Sequence, residues 1–227
     1  MGHESRSALI VGASRGLGLG VVQALMARGW DVTATARGPA PGLDGLEPAP
    51  RIERVDIDDD AAVARLAETL AGQRFDVVFI VAGVAAEAHV PVPQGSRASA
   101  LKVFETNAIS PIRAAEALVP RVAPGGLVVL MSSILGSVGA NESGGWESYR
   151  ASKAGLNTLA RSFEVRHRDA PFGVVLLHPG WVRTDMGGPE ADIDVATSAA
   201  GMAEVLERRL GQKGCVYLDY RGETLPW

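Results

Sequence analysis

The chain is poor in residues that could hold a fold together by anything other than a hydrophobic core. It has one cysteine, Cys215, among 227 residues, so no internal disulfide can form. One thiolate and four scattered histidines offer no ligand set at metal-site spacing. Cys215 falls in a late apolar run and reads as a small packing residue rather than a reactive thiol. There is no positive excess either: 22 Lys and Arg face 26 Asp and Glu, a net charge of -4. That balance argues against nucleic acid or an anionic membrane as partner. No apolar run approaches the roughly 18 residues of a bilayer span, and the opening residues 1–7 are polar, with no signal-peptide core. A cytoplasmic protein is expected. Without repeats, low-complexity tracts or linkers, residues 1–227 read as a single domain.

What the chain does have is alternation. Apolar, β-rich runs at 7–12, 31–36, 52–56, 75–82, 126–132, 173–178 and 214–219 are separated by segments of helical period. The helical segments lie at 16–28, 59–71, 98–122 (a pair interrupted near Pro111), 148–168 and 195–210. Strands alternating with helices predict an α/β fold, a doubly wound parallel seven-stranded sheet with helices on both faces. Ligands bind such sheets at the carboxyl ends of the strands. The loops at 38–50, 84–95, 136–145 and 185–191 are the expected irregular segments.

Directly after the first strand comes Gly12-Ala13-Ser14-Arg15-Gly16-Leu17-Gly18. Glycines there permit a tight turn and close backbone approach, and the uncapped N–H groups of the following helix suit a pyrophosphate. The second strand ends in Ala36-Arg37, where an NAD site usually carries an acidic residue. An arginine there can grip a 2′-phosphate through its fork of donors. Tyr149 and Lys153 stand four residues apart on one helix face, so phenol and ammonium can enter the same cleft. A cation beside the phenol is expected to lower its pKa from about 10 towards the working range of an acid–base group. Residue 111 is proline and has no N–H to donate to the carbonyl of Asn107. That carbonyl is therefore free for water, although a plain kink would look the same.

The spacing G-x-x-x-G-x-G with Y-x-x-x-K downstream resembles the short-chain dehydrogenase/reductase family, and the resemblance runs the length of the chain. It implies a Rossmann-type fold and hydride exchange between NADPH, rather than NADH, and a small carbonyl or alcohol. By that resemblance Tyr149 is the general acid–base and Lys153 also holds the nicotinamide ribose. Ser133, the second of the pair Ser132-Ser133, would hold the substrate oxygen, and Ser132 would cap a turn. Asn107 would complete a proton path through water. Cofactor contacts would come from Gly12, Ser14, Arg15, Gly16, Leu17, Gly18, Arg37, Asp56, Ile57, Ala82, Gly83, Asn107, Tyr149 and Lys153. The turn His178-Pro179-Gly180-Trp181-Val182-Arg183-Thr184 would add Pro179 and Gly180 before the nicotinamide and Val182 and Thr184 on its carboxamide, with His178 a strand-end residue rather than a base. Ile80-Val81 stand where relatives have two asparagines that brace the strand, which questions local rigidity. The longer strings, Tyr149-Arg150-Ala151-Ser152-Lys153 and residues 178–188 and 219–227, look like the C-factor and sniffer group, related to carbonyl reductases. An open cleft with Trp146, Trp181 and Met186 at its mouth is expected, and a monomer or homodimer. A second reading stays open: a nicotinamide-binding signalling or sensor protein with little turnover.

Overall fold

The computed structural model describes residues 5–227; part of the polar opening, residues 1–4, lies outside them. Seven strands form one sheet: β1 (Ser7–Val11), β2 (Asp31–Ala36), β3 (Arg51–Arg54), β4 (Phe75–Ile80), β5 (Val122–Met131), β6 (Gly173–His178) and β7 (Gly214–Asp219). Their order is β3-β2-β1-β4-β5-β6-β7, and every neighbouring pair is parallel. The chain winds outwards from β1 in one direction and from β4 in the other. This reversal opens a crevice beyond their carboxyl ends.

Helices cover both faces: α1 (Gly16–Met26), a short α2 (Pro41–Asp44), α3 (Asp60–Thr69), α4 (Arg97–Phe104), α5 (Ser110–Leu118), α6 (Glu147–Arg166) and α7 (Val195–Arg209). One core lies between the sheet and α1 with α7, built around residues such as Val21, Leu25, Phe79 and Met202. The other lies under α3, α5 and α6, around residues such as Leu66, Leu118, Leu130 and Phe163. The central strands are apolar on both faces because both are covered. Where the chain enters a helix, side chains satisfy free N–H groups: Asp59 accepts from Ala61 and Ala62 at α3, and Asp194 from Thr197 at α7.

Three segments differ from expectation. The loop 38–50 contains α2, with Pro41 at its start, where a missing N–H costs nothing. β5 begins four residues early, at Val122, through a stretch holding Pro124 and two glycines that has little strand character. The break near Pro111 is a π turn, Glu105–Ile109, joining α4 to α5 without a gap. Such turns accommodate an irregularity inside a helix and recur at functional sites. Among the described residues, no helix is long and apolar enough to cross a membrane.

Candidate active site

The crevice is a cleft of about 1090 Å³, walled by the ends of β1, β4, β5 and β6 and the loops after them. At one end lies the glycine turn. Gly12 has φ +93°, and a Cβ on it would come within 2.8 Å of Ala82, so it permits both the turn and the approach of β4. A Cβ on Gly18 would sit 2.2 Å from the Gly12 carbonyl oxygen, so this glycine lets α1 close on β1. Arg15 precedes α1 without a side-chain cap, and the first turn has no acidic residue. Its N–H groups are left to an anion, the arrangement that receives phosphate.

Ser14, Gly16, Leu17, Arg37, Asp56, Ile57 and Gly83 join this end of the wall. Arg37 Nη1 stands 3.8 Å from Asp56 Oδ2, and Arg15 Nη1 is 3.3 Å from Asp185 Oδ2, all four side chains exposed. Exposed pairs of this kind are weak, so a phosphate can compete for either guanidinium. The residues present fit a phosphorylated dinucleotide. Pro179, Gly180, Val182 and Thr184 continue the wall towards the middle of the cleft.

At the other end, α6 carries Tyr149 and Lys153 on the face that also buries Ser152, Leu156 and Asn157. Lys153 is 2% exposed, and its Nζ donates to the Met131 carbonyl at 2.9 Å while standing 5.6 Å from the centre of the Tyr149 ring. Burial pushes the Lys153 ammonium down to about 8. Burial likewise pushes the Tyr149 phenol up to about 12, against a smaller opposing effect of its hydrogen bond with Ser133. The expected lowering by the cation is therefore not met. A lysine that loses its proton near 8 carries no charge at the pH where this phenol ionises.

Ser133 stands beside Tyr149, and its Oγ also accepts from the Leu135 N–H at 3.2 Å, opening the 3₁₀ turn Ile134–Gly136. The turn-capping role expected of Ser132 thus belongs to Ser133. Ser132 points inwards instead, its hydroxyl donating to Asn157 Oδ1 at 2.6 Å. The Ser133 carbonyl accepts from the hydroxyl of Tyr217 on β7, a support no local pattern announces because the partners are 84 residues apart.

Asn107 is fully buried behind the cleft wall. Its amide clamps Val84 from both sides, accepting from the Val84 N–H and donating to the Val84 carbonyl at 2.8 Å each, and also donates to Ser152 Oγ at 3.0 Å. The loop after β4 is thereby braced without the two asparagines. A Cβ on Gly83 would come within 3.2 Å of Asn107 Oδ1 and 3.6 Å of Lys153 Nζ, which places all three together.

His178 ends β6 on the cleft wall, its buried Nδ1 without a partner among the described residues. Burial pushes its pKa down to about 4, although Asp219 opposes this. An unfolded chain takes up that proton near 6.5, so stability should fall as pH drops from 6.5 to 4, by about 3 kcal/mol for this group. Urea titrations at pH 7 and pH 4 should show a smaller loss for His178→Gln than for the wild type; equal losses would refute the assignment. Cys215 is half-buried on β7 with its thiol pushed up to about 11 by burial, an unreactive environment.

Fold and cleft together define a doubly wound α/β oxidoreductase. More particularly, the chain belongs to the short-chain dehydrogenase family, whose model matches residues 6–193. The C-signal of Myxococcus xanthus is 41% identical over 128 residues, covering 56% of this chain and 77% of that protein. A carbonyl reductase from Pseudomonas aeruginosa PAO1, solved in complex with NADP, superposes with a TM-score of 0.91 at 41% identity, over 99% of this chain and 100% of that one. The carbonyl reductase Sniffer of D. melanogaster superposes at 0.88 and 30% identity, over 99% and 100% respectively.

Proposed function

We propose that this protein is a cytoplasmic NADPH-dependent reductase of small aldehydes, ketones or quinones, with cofactor and substrate sites in one domain, residues 1–227. The observation that carries the reading is the buried Tyr149–Lys153 pair beside Ser133, in the same cleft as the glycine turn. When bound, the nicotinamide supplies the hydride. The Ser133 hydroxyl and the Tyr149 phenol hold the substrate oxygen between them. A phenol held near 12 is protonated at neutral pH, the form needed to donate a proton as the carbonyl becomes an alkoxide. Lys153 keeps N–H donors beyond the one used on Met131; these reach towards the ribose. Asn107, packed against Gly83 and Ser152, fixes the ground on which Lys153 stands and offers its backbone carbonyl to a water relay.

The choice of NADPH rests on Arg37 and Arg15 at the cleft mouth, and on NADP bound by the P. aeruginosa relative. Arg37→Asp should weaken NADPH binding by about 10- to 100-fold, the value of one or two charge-assisted hydrogen bonds, and leave NADH nearly unaffected. Cofactor fluorescence titration measures both. Equal loss for the two cofactors would move the 2′-phosphate site elsewhere, and binding of neither would refute the reductase reading.

A second reading is favoured by one observation, the similarity to C-signal: a nicotinamide-binding signalling protein. It predicts biological function that survives the loss of the Tyr149 hydroxyl.

A further inference from the structure

The segment entering α6 has an unusual backbone. Gly144, Gly145 and Trp146 are all left-handed, with φ of +63°, +62° and +51°. Glycine adopts that conformation freely, whereas a tryptophan does so only when its surroundings hold it there. What holds it is Arg150. This side chain is 9% exposed and forms no ion pair among the described residues. Its partners are neutral: Nε donates to the Gly144 and Gly145 carbonyls at 3.2 and 3.0 Å, and Nη2 donates to Ser143 Oγ at 3.0 Å. Its backbone N–H closes the turn by donating to the Trp146 carbonyl at 2.7 Å.

The held residue faces the chemistry. The Trp146 indole lies edge-on to Tyr149, ring centres 5.6 Å apart at 79°. It also lies edge-on to His89, from the loop after β4, at 4.6 Å and 80°. All three line the cleft. The indole therefore spans the two loops that enclose the phenol and presents an apolar wall where the rest of a carbonyl substrate must lie. Desolvating a guanidinium is costly unless its hydrogen bonds are satisfied. Here the charge is spent on two backbone carbonyls and a hydroxyl of a single turn.

Resting on the reductase reading, we infer that Arg150 is a positioning residue that acts through Trp146, and that the wall so placed makes the site selective for carbonyls bearing a flat aromatic group. Edge and face contacts between aromatic rings contribute about 0.5–1.5 kcal/mol beyond area burial, enough to rank an aryl aldehyde above a short aliphatic one. Lysine cannot substitute fully, because one ammonium lacks the planar fork that spans both carbonyls and Ser143 at once.

The test is a double-mutant cycle in steady-state reduction with NADPH, using benzaldehyde and propanal as the two probes. Trp146→Ala and Arg150→Met should each raise the ratio of the benzaldehyde KM to the propanal KM about tenfold. In the double variant the ratio should rise no further, because the second change removes a support for a ring already gone. Arg150→Lys should fall between wild type and Arg150→Met. If Arg150→Met does not fold, Gly145→Ala loosens the same turn by backbone conformation alone, since no atom lies within 4 Å of the added Cβ; the same shift in ratio is expected. Additive effects in the double variant, or equal rises in both KM values, would overturn the inference and leave Arg150 a purely structural residue. A wild-type enzyme that reduces neither aldehyde would overturn the inference, and one that also reduces no ketone or quinone would sink the reductase reading itself.

Discussion

Tyr149→Phe is expected to lower kcat for carbonyl reduction by about 10²- to 10⁴-fold, the usual contribution of one positioned acid–base group, with little change in NADPH affinity. The substitution removes one oxygen and leaves the ring that packs beneath Trp146. On the proposed mechanism the hydroxyl supplies the proton as hydride reaches the carbonyl carbon, and burial keeps that proton in place up to about pH 12. Rapid-mixing measurement of NADPH oxidation, with binding followed separately by cofactor fluorescence, separates chemistry from binding. Loss of both together would mean that the phenol shapes the cofactor site. Retention of kcat would remove Tyr149 from the chemistry and assign the proton to another donor, whereas biological function kept despite a lost kcat would favour the signalling reading.

Lys153→Met is expected to act in opposite directions on activity and stability. Activity should fall by at least about 10²-fold, since a positioning and proton-relay group is lost. The cofactor-free protein should nevertheless become more stable at pH 7. There the unfolded and native chains both carry the ammonium, and the native chain bears its full burial penalty. A native value of about 8 against 10.5 unfolded corresponds to about 3 kcal/mol. As pH rises from 8 to 10.5 the native lysine releases its proton while the unfolded one still holds it, so stability increases and the penalty disappears. Part of the gain in the variant is offset by losing the bond to the Met131 carbonyl, about 1 kcal/mol. Calorimetry should then show a Tm about 5 °C higher than wild type at pH 7, with the gap closing as pH rises from 8 and wild type the more stable by pH 10.5. A lower Tm at pH 7 would show that the ammonium is satisfied where it lies and stabilises the fold.

The strands and the pairing of Tyr149 with Lys153 are legible because their signals are local. Seven apolar runs separated by helical period lead to the observed sheet, and a spacing of four on α6 brings Tyr149 and Lys153 to one face. The glycine turn was equally local, since Gly12 and Gly18 mark close approaches that any side chain would block. What escaped sequence reading depends on partners far apart in the chain or on burial. Tyr217 on β7 reaches Ser133, just past β5, across β6, and Asn157, not a turn, takes the hydroxyl of Ser132. The direction of the Tyr149 shift could not follow from spacing alone. It depends on how deeply both groups are buried, and desolvation outweighs the opposing hydrogen bond with Ser133. Pro111 did mark a helical irregularity, but proline disrupts in several ways, and the π turn is visible only in the folded chain. Arg150 carried a signal that went unread: an arginine inside the helix, six and five residues after two adjacent glycines, is placed to bind their carbonyls.

The hydroxyl of Tyr217 against the Ser133 carbonyl has a consequence for the order in which the molecule is made. A ribosome delivers the chain from its amino end, and segments fold as they emerge. The glycine turn, Ser133 and the Tyr149–Lys153 pair all leave the exit tunnel before β7 does. Until Tyr217 arrives, the segment that carries Ser133 lacks its strut and β6 presents an open edge. A chain made only as far as β6 thus holds Ser133, Tyr149 and Lys153 without the frame that aligns them, and that alignment waits for the seventh strand.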